Sequence, residues 1–141
     1  MVLDKIKAYG HNNILCTHET TIEITKEEHL TRKGNCILGI KASKACNDLN
    51  KNLKQSIQKG NKIKVIIQSE NYIDSFNGIG DKSLTLTHKN DIVFRKSDYI
   101  SNRTALINCS KSSKDLSRKL INEIRSSRKE FYIIFKKLGK K

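Results

Sequence analysis

Several things are missing from this 141-residue chain. It has no proline and no tryptophan, one methionine, and only 6% aromatic residues. No apolar run approaches the roughly 20 residues that span a bilayer, which excludes a membrane-spanning helix. The N-terminal Met1–Lys7 stretch carries charges inside its only apolar run, which argues against a signal peptide. The four cysteines, Cys16, Cys36, Cys46 and Cys109, have no C-x-x-C spacing. A zinc site is therefore disfavoured, and they read as small core residues in a reducing cytoplasm. There is no G-x-S-x-G elbow and no glycine-rich phosphate loop, so spacing places no nucleophile beside a base and no cofactor is indicated.

Positive charge is abundant. The chain has 28 basic and 14 acidic side chains, a net charge of +14. Lysine supplies 22 of the 28, in a composition also rich in isoleucine and asparagine. Part of that bias reads as compositional drift, since a basic chain attracts polyanions without being selected for it. The hydrophobic share, 36%, still suffices for a packed core.

The chain reads as two copies of one unit. At an offset of 70, Thr17-His18-x-x-x-Ile22-x-Ile24-x-Lys26-x-Glu28 matches Thr87-His88-x-x-x-Ile92-x-Phe94-x-Lys96-x-Asp98. After a gap near residues 32–37 the offset is 67. There Ile40, Ser43-Lys44, Asp48-Leu49, Leu53 and Ile57 match Ile107, Ser110-Lys111, Asp115-Leu116, Leu120 and Ile124. The repeats are about 1–70 and 71–137, followed by a basic tail, 138–141. Each alternates apolar and polar residues in several short runs, the mark of half-buried strands. Among these, Ile14–Thr17 and Leu84–Thr87 read as short strands. Each repeat then has one amphipathic helix, with Ser43 or Ser110 at its start and Cys46, Leu49, Leu53, Ile57 or Ser113, Leu116, Leu120, Ile124 on its apolar stripe. The expectation is an α+β, mainly antiparallel β fold: β-β-β-β-α-β twice, forming one sandwich or partly closed barrel with two packed helices. A unit of about 70 residues holds a poor core alone, so the repeats are expected to share one domain.

Tyr9-Gly10-His11-x-Asn13-Ile14, Thr17-His18-x-Thr20-Thr21-Ile22-Glu23-x-Thr25-Lys26-Glu27, Arg32-x-Gly34-x-Cys36-Ile37 and Asp91-Ile92-x-x-Arg95-Lys96-Ser97 resemble an archaeal family described as domain of unknown function 371. The resemblance implies a compact, mainly β, sandwich-like fold and a cytoplasmic archaeal setting. It carries over no catalytic residue.

Two functional readings follow. The first is a non-enzymatic protein that binds RNA or another polyanion. Residues 1–70 carry 12 basic and 7 acidic groups (+5), residues 71–141 carry 16 and 7 (+9), and 105–141 alone carry 11 and 3 (+8). Lys111, Lys114, Arg118, Asn122, Arg125 and Lys129 recur every three or four residues opposite the apolar stripe of the second helix. Arg128, Lys136 and Lys137 extend the cationic set. The second reading is a small-molecule or metal-binding protein, which could also be an enzyme, with its site at the pseudo-twofold interface between the repeats. It uses His18, His88, Lys26, Lys96, Glu28, Asp98 and Asp91. Against it, tight turns favour local bonding, so each histidine is expected to bond its own hairpin backbone. Lys26–Glu28 and Lys96–Asp98 are expected to be surface pairs of little energetic weight. The chain is expected to be a monomer or homodimer away from membranes.

Overall fold

The computed structural model describes residues 1–138; Gly139, Lys140 and Lys141 of the basic tail lie outside the described residues. The first half contains β1 (Val2–Tyr9), β2 (Thr21–Thr25), β3 (Ile37–Gly39), α1 (Lys51–Gln58) and β4 (Lys62–Gln68). The second half has the same order: β5 (Ile73–Ile79), β6 (Asp91–Arg95), β7 (Thr104–Leu106), α2 (Arg118–Ser127) and β8 (Glu130–Lys137). A 3-10 turn precedes each helix, at Cys46–Asp48 and Ser113–Asp115.

The strands form two four-stranded sheets, ordered β1-β8-β4-β5 and β3-β2-β6-β7. Both sheets contain strands of both halves, alternating in the first and side by side in the second. Along β2–β6, Thr21 pairs with Arg95, Glu23 with Val93 and Thr25 with Asp91, so residues offset by 70 exchange places across that seam. Pairing is antiparallel except for β2–β3 and β6–β7. The fold is thus α+β with mostly antiparallel sheets. Among the described residues they do not close into a barrel. Single bridges join them at the corners, Tyr9 to Ile40 and Ile79 to Ile107.

Each half is β-β-β-α-β, not β-β-β-β-α-β. Residues 14–17 and 84–87 are not strands, because Cys16 (φ 50°) and Leu86 (φ 56°) take the left-handed conformation that interrupts extended backbone. Their apolar members still face inward: Ile14, Cys16, Leu84 and Leu86 are fully buried. One core cluster collects these with Ile6, Ile22, Ile24, Ile63, Ile67, Ile133 and both helices' Leu53, Ile57, Leu120 and Ile124. Phe94 of one sheet meets Phe76 (centroids 5.2 Å) and Phe135 (6.0 Å) of the other.

Close approach explains two glycines. A Cβ on Gly10 would lie 1.7 Å from the Ile124 carbonyl oxygen, and one on Gly80 1.9 Å from that of Ile57. Each helix therefore lies against the segment that follows an outer strand.

The helices begin later than their serines suggest. Ser43 Oγ accepts from the Lys7 amide and Ser110 Oγ from the Asn77 amide, both at 3.0 Å. The Ser43 and Ser110 amides donate back to the same residues' carbonyls at 2.8 Å. These bonds satisfy the outer edges of β1 and β5, which otherwise offer unpaired backbone to another chain. Lys44 and Lys111 bond Asp4 (2.8 Å) and Asp74 (2.6 Å). The second oxygens of those carboxylates accept the Asn50 and Ser117 amides, each at 2.8 Å, at the starts of α1 and α2. Ser-Lys is an edge-and-helix brace in both halves.

Candidate functional site

The β1-β8-β4-β5 sheet has one face in the core and one open. The inward set includes Ile6, Ala8, Phe131, Ile133, Phe135, Ile63, Val65, Ile67 and Phe76, all buried. Alternation along each strand turns the intervening residues outward. On the open face Lys5 and Lys7 come from β1, Tyr132, Ile134 and Lys136 from β8, and Lys62, Lys64, Ile66 and Gln68 from β4. Ile134 is opposite Lys5 on one side and Ile66 on the other. Tyr132 is likewise flanked by Lys7 and Gln68. Lys64 and Lys136 are directly opposite each other.

That last pair is unfavourable by itself, since like charges facing each other across a ladder repel. Among the described residues, none of Lys5, Lys7, Lys62, Lys64 and Lys136 is in an ion pair. Lys5 Nζ lies 4.4 Å from the centre of the Tyr132 ring. Glu130, at one end of β8, is the acid on this face, and its carboxylate accepts the Tyr132 hydroxyl at 3.3 Å. Two hollows adjoin the face. One of about 500 Å³ lies between Lys5, Tyr132, the Gln68–Glu70 turn and α2. A smaller one of about 260 Å³ lies beside Lys64, Ile66, Ile73, Asp74 and Ser75, with Asp74 engaged by Lys111.

The cations expected on the second helix are distributed differently. The helix begins only at Arg118, because Asp115 closes the preceding turn by accepting the Ser112 amide (2.9 Å) and Leu116 is extended. Lys111 and Lys114 therefore precede the helix, and Lys129 follows it. Lys111 is engaged by Asp74. Arg118 donates to the Ser113 (2.6 Å) and Leu116 (3.1 Å) carbonyls, and Arg125 to that of Ile14 (3.2 Å). Lys129 lies 3.4 Å from Glu70. Lys114, Arg128 and Lys137 are exposed, and Lys136 joins the open face just described.

Of the second expected set, His88 and Asp91 come together, with His88 Nδ1 4.0 Å from the Asp91 carboxylate, while Lys26 and Lys96 are engaged elsewhere. His18 Nδ1 accepts the Thr20 amide at 3.1 Å, and His88 Nδ1 accepts those of Asn90 (3.2 Å) and Asp91 (2.9 Å). Lys26 pairs with Asp48 (2.6 Å) and Lys96 with Asp115 (3.3 Å), so neither pairs with its neighbour two residues on. Glu28 and Asp98 are exposed. Bonds from the Ser112 amide and hydroxyl and from Lys96 hold the Asp115 carboxyl down at about 2.

Asp91 belongs to another constellation on the second sheet. Arg103 reaches Asp91 (3.0 Å) and Glu23 (3.4 Å), and the Cys36 thiol donates to Glu23 (3.4 Å). Burial, then the Asp91 carboxylate, raise the Glu23 pKa; Arg103 opposes them. Glu23 is opposite Val93, so this acid has no counterpart in the other half. Burial likewise pushes the Cys16 thiol up to about 11 and the Cys46 and Cys109 thiols up to about 12. Cys36 also rises to about 12, from burial and then the Glu23 charge. No group of three or more His, Cys, Asp and Glu side chains among the described residues is arranged to hold a metal ion, and no helix there is long and apolar enough to cross a membrane.

Sequence reasoning named Lys136 but grouped it with the second helix, and it missed Lys5, Lys7, Lys62 and Lys64 of the open face. Their signal was local: Lys62 and Lys64 alternate with Ile63 and Val65, as Lys5 and Lys7 do with Ile6 and Ala8. Two comparisons bear on this chain. A protein of Methanocaldococcus jannaschii, described as uncharacterized, is 44% identical over 131 residues, covering 93% of this chain and 95% of the relative. The family described as Domain of unknown function (DUF371) matches residues 6–137, both sheets and both helices included. The chain belongs to the DUF371 family.

Proposed function

We propose that this protein binds single-stranded RNA on the open face of the β1-β8-β4-β5 sheet. The observation that carries the reading is the Lys64–Lys136 pair. Two half-buried lysines are register partners across a seam, flanked by Lys5, Lys7 and Lys62, and among the described residues none of the five is in an ion pair. An anion threaded between them relieves the repulsion, and a phosphate backbone supplies anions at regular spacing. Tyr132, Ile134 and Ile66 at the centre give bases an apolar surface, the combination that single-strand binders use. A duplex is the poorer fit, because groove readers present a helix or ribbon, whereas here Arg118 and Arg125 are turned onto the chain's own carbonyls.

Filter binding of a fluorescent RNA oligomer across a salt series tests this. Five phosphate contacts give a slope of log K against log salt of about −3.5 for a single strand. Lys64→Gln and Lys136→Gln should each flatten that slope by about 0.7. Lys114→Gln and Arg128→Gln, on the exposed ends of the α2 region, should leave it unchanged. Absence of binding at low salt sinks the proposal. A slope that responds only to Lys114 and Arg128 moves the surface to α2 and also overturns it.

A further inference from the structure

The 500 Å³ cavity at the end of the open face differs from that face in charge. Lys5 and Lys129 line it, but so do Glu70, Glu123 and Glu130, so its formal charge is −1 within a chain of +14. A phosphate is repelled there. A neutral group with both donors and acceptors on its edge is not.

The walls are fixed. Glu123 of α2 accepts hydrogen bonds from the Ser69 hydroxyl and from the Asn71 amide (3.2 Å) and side chain (2.5 Å), tying the turn after β4 to the helix. These contacts hold the Glu123 carboxyl below its usual range, the Ser69 bond most of all. Glu70 faces Lys129. Ile124, Phe131 and Tyr132 contribute apolar surface. Glu130 is exposed, and among the described residues its carboxylate accepts only the Tyr132 hydroxyl at 3.3 Å. The volume is within the range that encloses small ligands.

We propose that this cavity receives one unstacked base of the bound strand, and that it prefers a base with an amino group in the position of uracil's O4 carbonyl, adenine or cytosine, to uracil. The inference rests on the RNA reading above. The strand's phosphates follow the lysines, and the base turns away from them into the acidic end. There the Glu130 carboxylate accepts the amino N–H, as acidic side chains accept from cytosine. Uracil presents a carbonyl at that position, which the carboxylate repels.

The test uses the intact chain and two kinds of probe. Adenosine, cytidine and uridine are titrated into isotope-labelled protein and followed by amide shifts of Gln68, Ser127 and Tyr132. Hexamers of adenylate, cytidylate and uridylate are compared by filter binding. Adenosine and cytidine should shift those amides, and their hexamers should bind about tenfold more tightly than the uridylate hexamer. Glu130→Gln, a conservative change at an exposed site, should abolish that preference while leaving the salt slope intact. Equal affinities for all three hexamers, or a preference that survives Glu130→Gln, overturn the inference. If hexamers bind with the expected salt slope while nucleosides shift nothing, the cavity assignment falls and the RNA reading stands. If nucleosides bind and hexamers show no salt dependence, the RNA reading falls instead.

Discussion

Replacing Asp74 with alanine should cost about 2–3 kcal/mol of folding stability. One oxygen accepts the Ser117 amide at the start of α2; the other accepts the Ser75 amide (2.8 Å) and Lys111 (2.6 Å). Losing an acceptor at a helix start costs about 1 kcal/mol. An orphaned backbone amide adds about 1 kcal/mol. The Lys111 ion pair adds at most about 1 kcal/mol, because the lysine side chain is 33% exposed and water screens it. Urea unfolding, read as a shift in midpoint at constant slope, measures the sum. Lys111→Ala removes only the ion pair and should cost under about 1 kcal/mol. The pH dependence supplies a second check. Burial raises the Asp74 carboxyl, but Lys111 and the two amides outweigh it, so its pKa lies below the ordinary 3.8. A depressed carboxyl contributes fully above its unfolded value and loses that contribution as pH falls through the folded one. The gap between the native chain and Asp74→Ala should therefore close below about pH 4. A gap that stays constant from neutral pH to pH 3, or a Lys111→Ala variant as unstable as Asp74→Ala, would refute the brace. Asp4, only 4% exposed, holds the matching bonds to Lys44 and Asn50, so Asp4→Ala should cost at least as much.

Glu23→Val, which installs the residue found opposite it, should be neutral or stabilising at pH 7 by about 1–3 kcal/mol. The raised Glu23 pKa means that its contribution is present below the ordinary 4.5 and fades as pH rises through the folded value. Thermal melts of the variant should lack that loss; a variant that is less stable at pH 7 contradicts the assignment. Gly80→Ala should destabilise by more than about 2 kcal/mol, since its Cβ meets backbone that cannot swing aside, whereas Gly60→Ala, at φ 82°, should cost about 1 kcal/mol; near-equal urea midpoints for the two would count against the helix contact. The buried Cys16, Cys46 and Cys109 thiols should react with a disulfide reagent at pH 8 only as fast as the chain unfolds, and the half-buried Cys36 thiol should react slowly because its pKa is raised to about 12. A rapid burst from any one of them shows that its surroundings are misassigned.

The two helices and the inward residues were legible because periodicity records burial, and burial does not depend on which strand pairs with which. Ile14, Cys16, Leu84 and Leu86 show where that information ends. Their alternation is real and their side chains are in the core, yet one left-handed residue in each segment turns an expected strand into a loop. The brace could have been found earlier. The offset of 70 that aligns Ile6 with Phe76 also aligns Asp4 with Asp74, and the offset of 67 aligns Lys44 with Lys111. What was hidden is that these two matches meet in space.

The cationic surface was harder to place, for a physical reason. A spacing of three or four residues defines a face only inside one helix. Asp115 ends the 3-10 turn and Leu116 is extended, so Lys111 and Lys114 do not share an axis with Arg125. The open-face lysines follow period 2 along their strands, which the sequence displays. Their significance lies in the seam. Lys64 and Lys136 are 72 residues apart, and the offset of 67 matches Lys64 with Phe131, so no repeat argument relates them. Only the antiparallel register of β4 against β8 sets the two charges opposite each other. A like-charged pair at the middle of a sheet is a local cost that the surrounding fold tolerates. The bonded pairs at Asp4, Asp74, Asp48 and Asp115 show that this chain supplies carboxylates to lysines where structure requires them. Leaving the central pair without one fits a surface whose counter-charge comes from outside the chain.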